Sequence, residues 1–363
     1  MSSSRIAVLG GGNTAFALAA NLSRRGHEIT LWELPSQAAS LEPIRERGEI
    51  ALDGVAERGI ARISRITTQI AEAAESDVML VPVPSYAHRA FAEALVPHLR
   101  EGHLVALLPG NLGSLQLARL AREAGRADGV VFAEVDTAPY VCRKTAPDRA
   151  HIWGVVTGLG LGVFPAVETD GAVDRLADLF PGIRPYPNAL ACGLAATNPI
   201  MHPAGVLMNA GRIERSRGDF YFYEEGVTPA VVRAVKAVDS ERQAVAKAFG
   251  LTLDPVEEAY WRGGFGPRGD LWATINGSQM LTALRAPGSM ETRWLTEDIP
   301  YGIATWALLG RERGVPTPTI DALVALGSVV TGLDCWRTAR TPADLGIAGM
   351  SQDQLARYLQ TGG

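Results

Sequence analysis

The chain has 363 residues, 47% of them apolar, and its 34 basic and 39 acidic side chains leave a formal charge of −5. A chain longer than the size at which one hydrophobic core stops growing is expected to form two domains. No Lys- or Arg-rich run could neutralise a line of phosphates, so we expect no nucleic-acid partner.

The apolar runs of the sequence indicate neither a secretory signal nor a membrane-spanning segment. Met1-Ser2-Ser3-Ser4-Arg5 leads into a short apolar stretch that stops at glycines, unlike a secretory signal. Runs such as Val78 to Val83 are far shorter than the roughly 20 residues that cross a bilayer, so no membrane span is predicted. The three cysteines are widely spaced, and the six histidines show no HxxxH or HExxH spacing. We expect a cytoplasmic protein with structural thiols and no metal site.

The pattern of apolar residues changes along the chain. Short β-branched runs alternate with amphipathic segments in the first half, and the predicted strands are Ile6 to Leu9, Ile29 to Trp32, Val78 to Val83, Leu104 to Leu108 and Val130 to Val135. This alternation predicts an α/β domain with a doubly wound, mainly parallel sheet over residues 1–187. From residue 188 to 363 the period is helical, most clearly in Pro229 to Phe249, Ile303 to Arg313 and Ile320 to Val330. A mainly α-helical second domain is therefore predicted, with a boundary soft by about ten residues.

A glycine turn follows the first predicted strand directly. Gly10-Gly11-Gly12-Asn13-Thr14-Ala15 fits G-x-G-x-x-A and opens a helix. Gly10 permits the tight turn, Gly12 lets the backbone approach a pyrophosphate, and Ala15 keeps helix and strand close. With Asn13 at the helix start, the N-terminal N–H groups and the helix dipole favour a phosphate anion. This order of elements predicts dinucleotide binding by a Rossmann domain.

An acidic residue ends the second predicted strand. Glu33 lies 18 residues beyond Ala15, where a carboxylate hydrogen-bonds the adenosine ribose hydroxyls and repels a 2′-phosphate. The next residues, 34–37, contain no arginine to offset that charge, so NAD is favoured over NADP. The alternative is that Glu33 is a solvated charge at a strand end.

Two further turns follow predicted parallel strands. Doubly wound sheets bind ligands at the carboxyl edge of their strands. Pro84 follows the Val78 to Val83 run, and Asn111 follows the Leu104 to Leu108 run. We expect both turns to border the nicotinamide half of the cofactor.

The apolar segment Asn198 to Asn209 has only three polar side chains. At ~100° per residue, His202 lies about 40° and Asn209 about 20° from Asn198, so all three would share one face of a single helix. Pro203 could kink that helix. A buried polar stripe indicates either a histidine satisfied within the core or an acid/base group.

A charged cluster ended by a proline runs from Thr292 to Tyr301. It contains Asp298, which could orient an imidazole, and Arg293, which could hold a substrate carboxylate. A His–Asp pair fixes one tautomer and raises basicity. Taken alone, such a cluster is also typical of a solvated helix end.

At these residues the sequence resembles the octopine/nopaline (opine) dehydrogenase family. The segments that carry the resemblance are Gly10 to Asn13, Pro109 to Asn111, Asp136 to Tyr140 with Arg143, Asn198 to His202 with Asn209, Phe222 to Gly226, Asp239 to Arg242, Arg293 to Pro300 and Pro316 to Pro318. The Asn-x-x-x-His-Pro and Arg-x-x-x-Glu-Asp-x-Pro pair is the most specific part. The chain departs from the family after Asn111 and at Trp294, where tyrosine is frequent.

The resemblance implies NAD(H)-dependent reductive condensation of a 2-oxo acid, such as pyruvate, with the amino group of an amino acid. His202 would be the acid/base and Asp298 its orienting partner. Arg293 would clamp a carboxylate, with Asn198 as a further substrate ligand. Arg143 is either a second anion ligand or a member of a surface salt bridge. Small molecules are the implied partners, and the sequence leaves a homodimer open.

Two other functions use the same two-domain plan. Dehydrogenases acting on glycerol 3-phosphate or ketopantoate usually depend on a lysine in the second domain, but only Lys236 and Lys247 occur after residue 188, in an ordinary charged helix. A protein that senses NAD(H) without catalysis would not need the His202–Asp298 pair.

Overall fold

A computed structural model describes residues 4–363 of the chain. These residues form two compact units, the second of which is Gly193–Arg357. The first unit runs to Cys192 and also includes Tyr358–Gly363. The boundary after Cys192 lies within ten residues of the expected split into residues 1–187 and 188–363, whereas the return of Tyr358–Gly363 to the first unit was not predicted. At the C-terminal end the reason is packing, because the Tyr358 ring lies 4.9 Å from the Phe164 ring of the first unit.

The strands of the described chain lie in the first unit. In chain order they are β1 Arg5–Leu9, β2 Glu28–Trp32, β3 Glu49–Gly54, β4 Gly59–Arg62, β5 Arg65–Thr67, β6 Val78–Val81, β7 Leu104–Leu107, β8 Val131–Val135, β9 Tyr140–Ala146, β10 Arg149–Val155, β11 Gly160–Phe164 and β12 Arg184–Pro185. The main sheet has the order β12-β11-β8-β7-β6-β1-β2-β5. Its neighbours run parallel except for the β8–β11 pair. The predicted doubly wound, mainly parallel sheet is therefore confirmed.

The central strands β6 and β7 are buried along their whole length. Continuous apolar runs are expected there, because helices cover both faces of a parallel sheet. The helices of the first unit are α1 Asn13–Arg24, α2 Glu42–Arg45, α3 Ile70–Ala73, α4 His88–Leu95, α5 Gly113–Glu123 and α6 Thr169–Leu176. The next helix, α7 Ala189–Ala195, crosses the boundary between the units.

A second sheet, with the order β4-β3-β10-β9, was not predicted. Helix α1 packs against its inner face: the Lys144 ammonium lies 3.5 Å from the centre of the Phe16 ring, and Asn21 donates to the Tyr140 hydroxyl at 2.8 Å. The opposite face is open to water, so its strands carry charged residues and lack the continuous apolar runs of the main sheet. That composition explains why these strands were missed.

The second unit is mainly helical, as predicted. Its helices are α8 Asn198–Met208, α9 Ala210–Ser216, α10 Pro229–Ala248, α11 Val256–Arg262, α12 Leu271–Asn276, α13 Gln279–Thr282, α14 Arg293–Thr296, α15 Thr305–Glu312, α16 Pro318–Thr331 and α17 Cys335–Thr338, and α18 Gln352–Thr361 returns to the first unit. Two π-helical segments, Phe222–Gly226 and Asp298–Ala304, interrupt this pattern. The predicted helix from Ile303 is thus π-helical at its start.

A buried ion pair fixes the long helix α10 within the second unit. Arg242 is only 1% exposed and pairs with Asp239 at 2.6 Å. Its guanidinium also donates to the carbonyl oxygens of Leu194 and Asp254. Such a buried charge is tolerated because each side of it is hydrogen-bonded. Among residues 4–363, no helix combines the length and apolarity needed to span a bilayer.

Candidate active site

The glycine turn has the geometry that a dinucleotide requires. Gly10 has φ +135°, and a Cβ there would lie 2.7 Å from a Val83 methyl group, so only glycine fits. Gly12 precedes α1 as its N-cap, is exposed and makes no side-chain capping bond. Nothing lies within 4 Å of the position of a Cβ at Gly12. The first turn of α1 therefore presents uncapped N–H groups to open space, which suits a pyrophosphate.

Asn13 and Ala15 hold α1 in place behind this turn. The Asn13 side chain accepts a hydrogen bond from the Lys144 backbone N–H at 2.9 Å. Ala15 is buried against the main sheet, and its Cβ would lie 3.7 Å from a Cβ at Gly10. The helix start is thus tied to β9 as well as to β1.

Glu33 lies beside the glycine turn and is nearly buried. Its carboxylate accepts the Gly11 N–H at 2.6 Å and the Leu34 N–H at 2.7 Å. Burial raises the pKa of Glu33, and the hydrogen bonds from Leu34 and Gly11 oppose that rise. The carboxylate is therefore built into the turn instead of being a solvated charge. Each of its oxygens keeps acceptor capacity for a hydroxyl.

The hydroxyl of Ser40, which nothing in the sequence singles out, lies beside Gly11 and Glu33. The Ser40 Oγ is buried and has no hydrogen-bond partner within residues 4–363. A side chain at Gly11 would overlap this hydroxyl. An unsatisfied hydroxyl beside a carboxylate and a glycine backbone fits the ribose diol of a dinucleotide, since buried polar groups normally find partners.

Pro84 and Asn111 follow the neighbouring parallel strands β6 and β7, and the structure brings their turns together. Asn111 donates to the hydroxyl of Ser85, the residue after Pro84, at 2.9 Å. Asn111 and Leu112 both have positive φ, +48° and +68°. A buried leucine in the left-handed region is uncommon, and such strain concentrates at functional turns.

Glu134 accepts hydrogen bonds from the turn that carries Asn111, and it was not among the predicted site residues. It lies in β8 with no exposed surface, and its carboxylate accepts the Leu112 N–H at 2.9 Å. It also accepts the N–H and the hydroxyl of Ser114, at 2.9 and 2.6 Å. A side chain at Gly110 would overlap Glu134. The signal in the sequence was a single acid inside an apolar strand.

In the second unit, His202 and Asp298 form a buried pair. The His202 Nδ1 lies 2.7 Å from the Asp298 Oδ2, and both side chains are 7% exposed. Helix α8 continues through Pro203 and carries His202 near its middle, while Asp298 begins the π-helical segment. Burial raises the pKa of Asp298, and the hydrogen bond and charge of His202 lower it.

Aromatic groups surround the imidazole of His202. Trp294 stacks on it with ring centres 4.2 Å apart and planes 5° from parallel. The Tyr223 hydroxyl lies 3.1 Å from the His202 Nε2. Phe222 packs edge-on against Trp294 at 4.8 Å. Tyr223 belongs to the Phe222 to Gly226 segment of the family resemblance, and nothing in the sequence alone indicates a role for it.

The remaining candidate ligands occupy different places. Arg293 is more than half exposed, and its Nε donates to Glu297 at 2.9 Å. Asn198 begins α8, half-buried, whereas Asn209 ends it and donates to the carbonyl oxygens of Gly205 and Gly226. Asn209 therefore has a structural role. Arg143 is exposed on β9 of the first unit.

The fold and these sites define a Rossmann-type oxidoreductase with a helical second unit. Residues 185–331 match the family model for the α-helical domain of NAD/NADP octopine/nopaline dehydrogenase. Residues 5–112 match the model for the N-terminus of NAD-dependent glycerol-3-phosphate dehydrogenase.

Whole-chain comparisons agree. Opine dehydrogenase of Arthrobacter sp. (strain 1C) is 31% identical, over 95% of this chain and 96% of that one. A solved octopine dehydrogenase with NADH and agmatine superposes with a TM-score of 0.78 at 20% identity, covering 99% and 98% of the chains. A solved octopine dehydrogenase with NADH and pyruvate superposes with a TM-score of 0.75 at the same identity and coverage.

The chain belongs to the opine dehydrogenase family. It is an NAD(P)-dependent oxidoreductase acting on CH–NH groups, and its cofactor is NAD. The family resemblance and the cofactor predicted from the sequence are confirmed.

Proposed function

We propose that the protein condenses a 2-oxo acid with the amino group of an amino acid and reduces the resulting imine, and that it also catalyses the reverse oxidation. Condensation forms a C=N bond and releases one water. The bound nicotinamide supplies a hydride to the imine carbon, and the nitrogen keeps one proton, so that the product is a secondary amine dicarboxylate. Pyruvate is the oxo acid that we favour, because a neighbour of the same fold was solved with NADH and pyruvate.

The first unit is proposed to hold the cofactor. Gly10, Gly12 and Asn13 would form the pyrophosphate turn, with Ala15 keeping α1 close behind it. Glu33 would accept the ribose hydroxyls, and Pro84 and Asn111 would border the nicotinamide. The support is the uncapped start of α1 and the paired turns at the carboxyl ends of β6 and β7.

The second unit is proposed to supply the acid/base. His202 gives a proton to the oxygen that leaves as water, and in the reverse direction it takes a proton from the water that attacks the imine carbon. Asp298 orients the imidazole through Nδ1, which leaves Nε2 as the exchanging nitrogen. The observation that carries the proposal is this 2.7 Å bond between two side chains that are almost fully buried.

Two side chains of the second unit and one of the first are proposed as carboxylate ligands. The Nε of Arg293 donates to Glu297, and a planar guanidinium is the group best suited to a bidentate contact with a substrate carboxylate. Asn198 lies one turn before His202 on α8 and would add an amide donor. Arg143, an exposed cation of the first unit, is proposed as a second anion ligand.

A screen of NADH oxidation tests the reaction. Pyruvate, oxaloacetate and 2-oxoglutarate are each combined with the common amino acids, and the product is identified by its mass. We expect oxidation only when both substrates are present. Oxidation with the oxo acid alone would instead show a hydroxy-acid dehydrogenase, and no oxidation with any pair would refute the proposal.

A further inference from the structure

Both ring nitrogens of His202 have partners, and the second partner has no assigned role. Asp298 takes Nδ1, and the hydroxyl of Tyr223 lies 3.1 Å from Nε2. Tyr223 is 4% exposed and belongs to the π-helical segment Phe222–Gly226. The nitrogen proposed to exchange a proton with substrate is therefore already in contact with a hydroxyl of the chain.

The direction of these hydrogen bonds depends on the charge of the imidazole. A carboxylate only accepts, so the Nδ1 of His202 carries a hydrogen toward Asp298. The Nε2 of a neutral imidazole is then an acceptor, and Tyr223 must donate to it. When Nε2 is protonated it becomes a donor, so the Tyr223 oxygen must accept and its own hydrogen must turn elsewhere.

Tyr260 lies beside Tyr223 in the same buried region. Burial raises the pKa of Tyr223, the charge of Asp298 raises it further, and a hydrogen bond with Tyr260 opposes that rise. Both residues are almost fully buried. The Tyr223 hydroxyl therefore keeps its hydrogen and can either donate to Nε2 or accept from it.

We propose that Tyr223 is a positioning residue whose hydroxyl follows the protonation of His202. It donates to Nε2 in the neutral state. In the protonated state it accepts from Nε2–H until the oxygen of the bound oxo acid takes that proton. This role rests on the proposed function, because it assumes that Nε2 faces the substrate.

The test measures a shift in a pH midpoint, and other charged groups and hydroxyls near α8 also influence that midpoint. Those on the elements packed around His202 are Asp298, Arg293 and Glu297, the hydroxyls of Tyr223 and Tyr260, and the paired Asp239 and Arg242 of α10. A Tyr223→Phe variant keeps all of these except one hydroxyl. It also keeps the ring that packs edge-on against Phe222 at 5.1 Å.

The experiment measures two pH profiles of Tyr223→Phe. One is kcat/KM for NADH oxidation with saturating cofactor, and the other is the imidazole nitrogen shift of His202 in protein labelled with ¹⁵N-histidine. A hydrogen bond to a charged donor is roughly twice as strong as a neutral one, so the tyrosine favours the protonated ring. We expect both midpoints to move to lower pH by on the order of half to one unit. Turnover at neutral pH should fall roughly tenfold.

Two variants complete the test. Tyr260→Phe keeps the contact between Tyr223 and the Nε2 of His202, so it should move the midpoints less than Tyr223→Phe does. Tyr358→Phe removes a tyrosine hydroxyl that interacts with Arg122 in the first unit and should move neither. Unchanged midpoints in a folded Tyr223→Phe protein would overturn the proposal. The parent protein could fail to oxidise NADH with every substrate pair while Tyr223→Phe still shifts the nitrogen profile of His202. That result would support the link between Tyr223 and His202 and refute the proposed function.

Discussion

Glu134 accepts two hydrogen bonds from one residue, the backbone N–H and the hydroxyl of Ser114, at 2.9 and 2.6 Å. The acid belongs to a central strand of the sheet, and the serine lies in the first turn of α5. A buried carboxylate thus organises the turn that carries Asn111. This relationship links the interior of the first unit to the proposed nicotinamide site.

The first prediction concerns this carboxylate. Glu134→Gln replaces an acceptor oxygen with an NH₂ group that faces donors, so at least one buried donor loses its partner. We expect the free energy of unfolding to fall by about 1–3 kcal/mol, measured by urea denaturation. NADH should also bind more weakly, as measured by fluorescence. Ser114→Ala is the matched control and should cost less, because the N–H bonds remain. Equal stability of the glutamine variant and the parent would contradict the prediction.

The second prediction concerns cofactor choice. Glu33 is proposed to bind the adenosine ribose and to repel a 2′-phosphate. Glu33→Ala should weaken NADH binding and narrow its preference over NADPH, as measured by the dissociation constants of both. The unmodified protein should prefer NADH. Equal affinity of the unmodified protein for the two cofactors would show that Glu33 does not discriminate between them.

The third prediction is a pH dependence of NADH binding. Burial raises the pKa of Glu33, so this carboxylate gains its proton at a higher pH than an ordinary glutamic acid does. A protonated carboxyl is a poorer acceptor for ribose hydroxyls. NADH affinity should therefore be full above the raised pKa and fall as the pH drops through it. Glu33→Gln should remove this dependence, and a Glu33→Gln protein with the same acid loss as the parent would exclude Glu33 as its source.

The fourth prediction is that His202 and Asp298 act together as one acid/base unit. His202→Ala should lower turnover on the order of 10²- to 10⁴-fold with NADH affinity nearly unchanged, the usual range for a positioned acid/base. Asp298→Asn should also be slow. The double variant should be little worse than the more damaged single variant, whereas independent effects would multiply. Turnover of His202→Ala within a few-fold of the parent would identify His202 as a histidine satisfied within the core.

The sequence predicted those parts of the fold that repeat a simple period. Continuous apolar runs marked β6 and β7, and the glycine turn marked the start of α1. The four-stranded sheet has one face in water, so its strands lack such runs. Its outer residues include exposed arginines such as Arg143 and Arg149, which interrupt any apolar run.

The candidate site was predictable only where one residue carries the signal. His202 and Asp298 stood out as polar groups in or beside apolar segments. Tyr223 and Ser40 did not, because a tyrosine or a serine is ordinary in any segment. Their significance comes from the Nε2 of His202 and from the backbone of Gly11, neighbours that only the folded chain supplies.

The return of the C-terminal residues to the first unit has a consequence for synthesis. Tyr358 is 6% exposed and packs its ring against Phe164, so the last helix contributes to the core of a unit that begins with β1. A ribosome makes β1 first and Tyr358 more than three hundred residues later. The core of the cofactor-binding unit is therefore completed only after the whole helical unit has been synthesised.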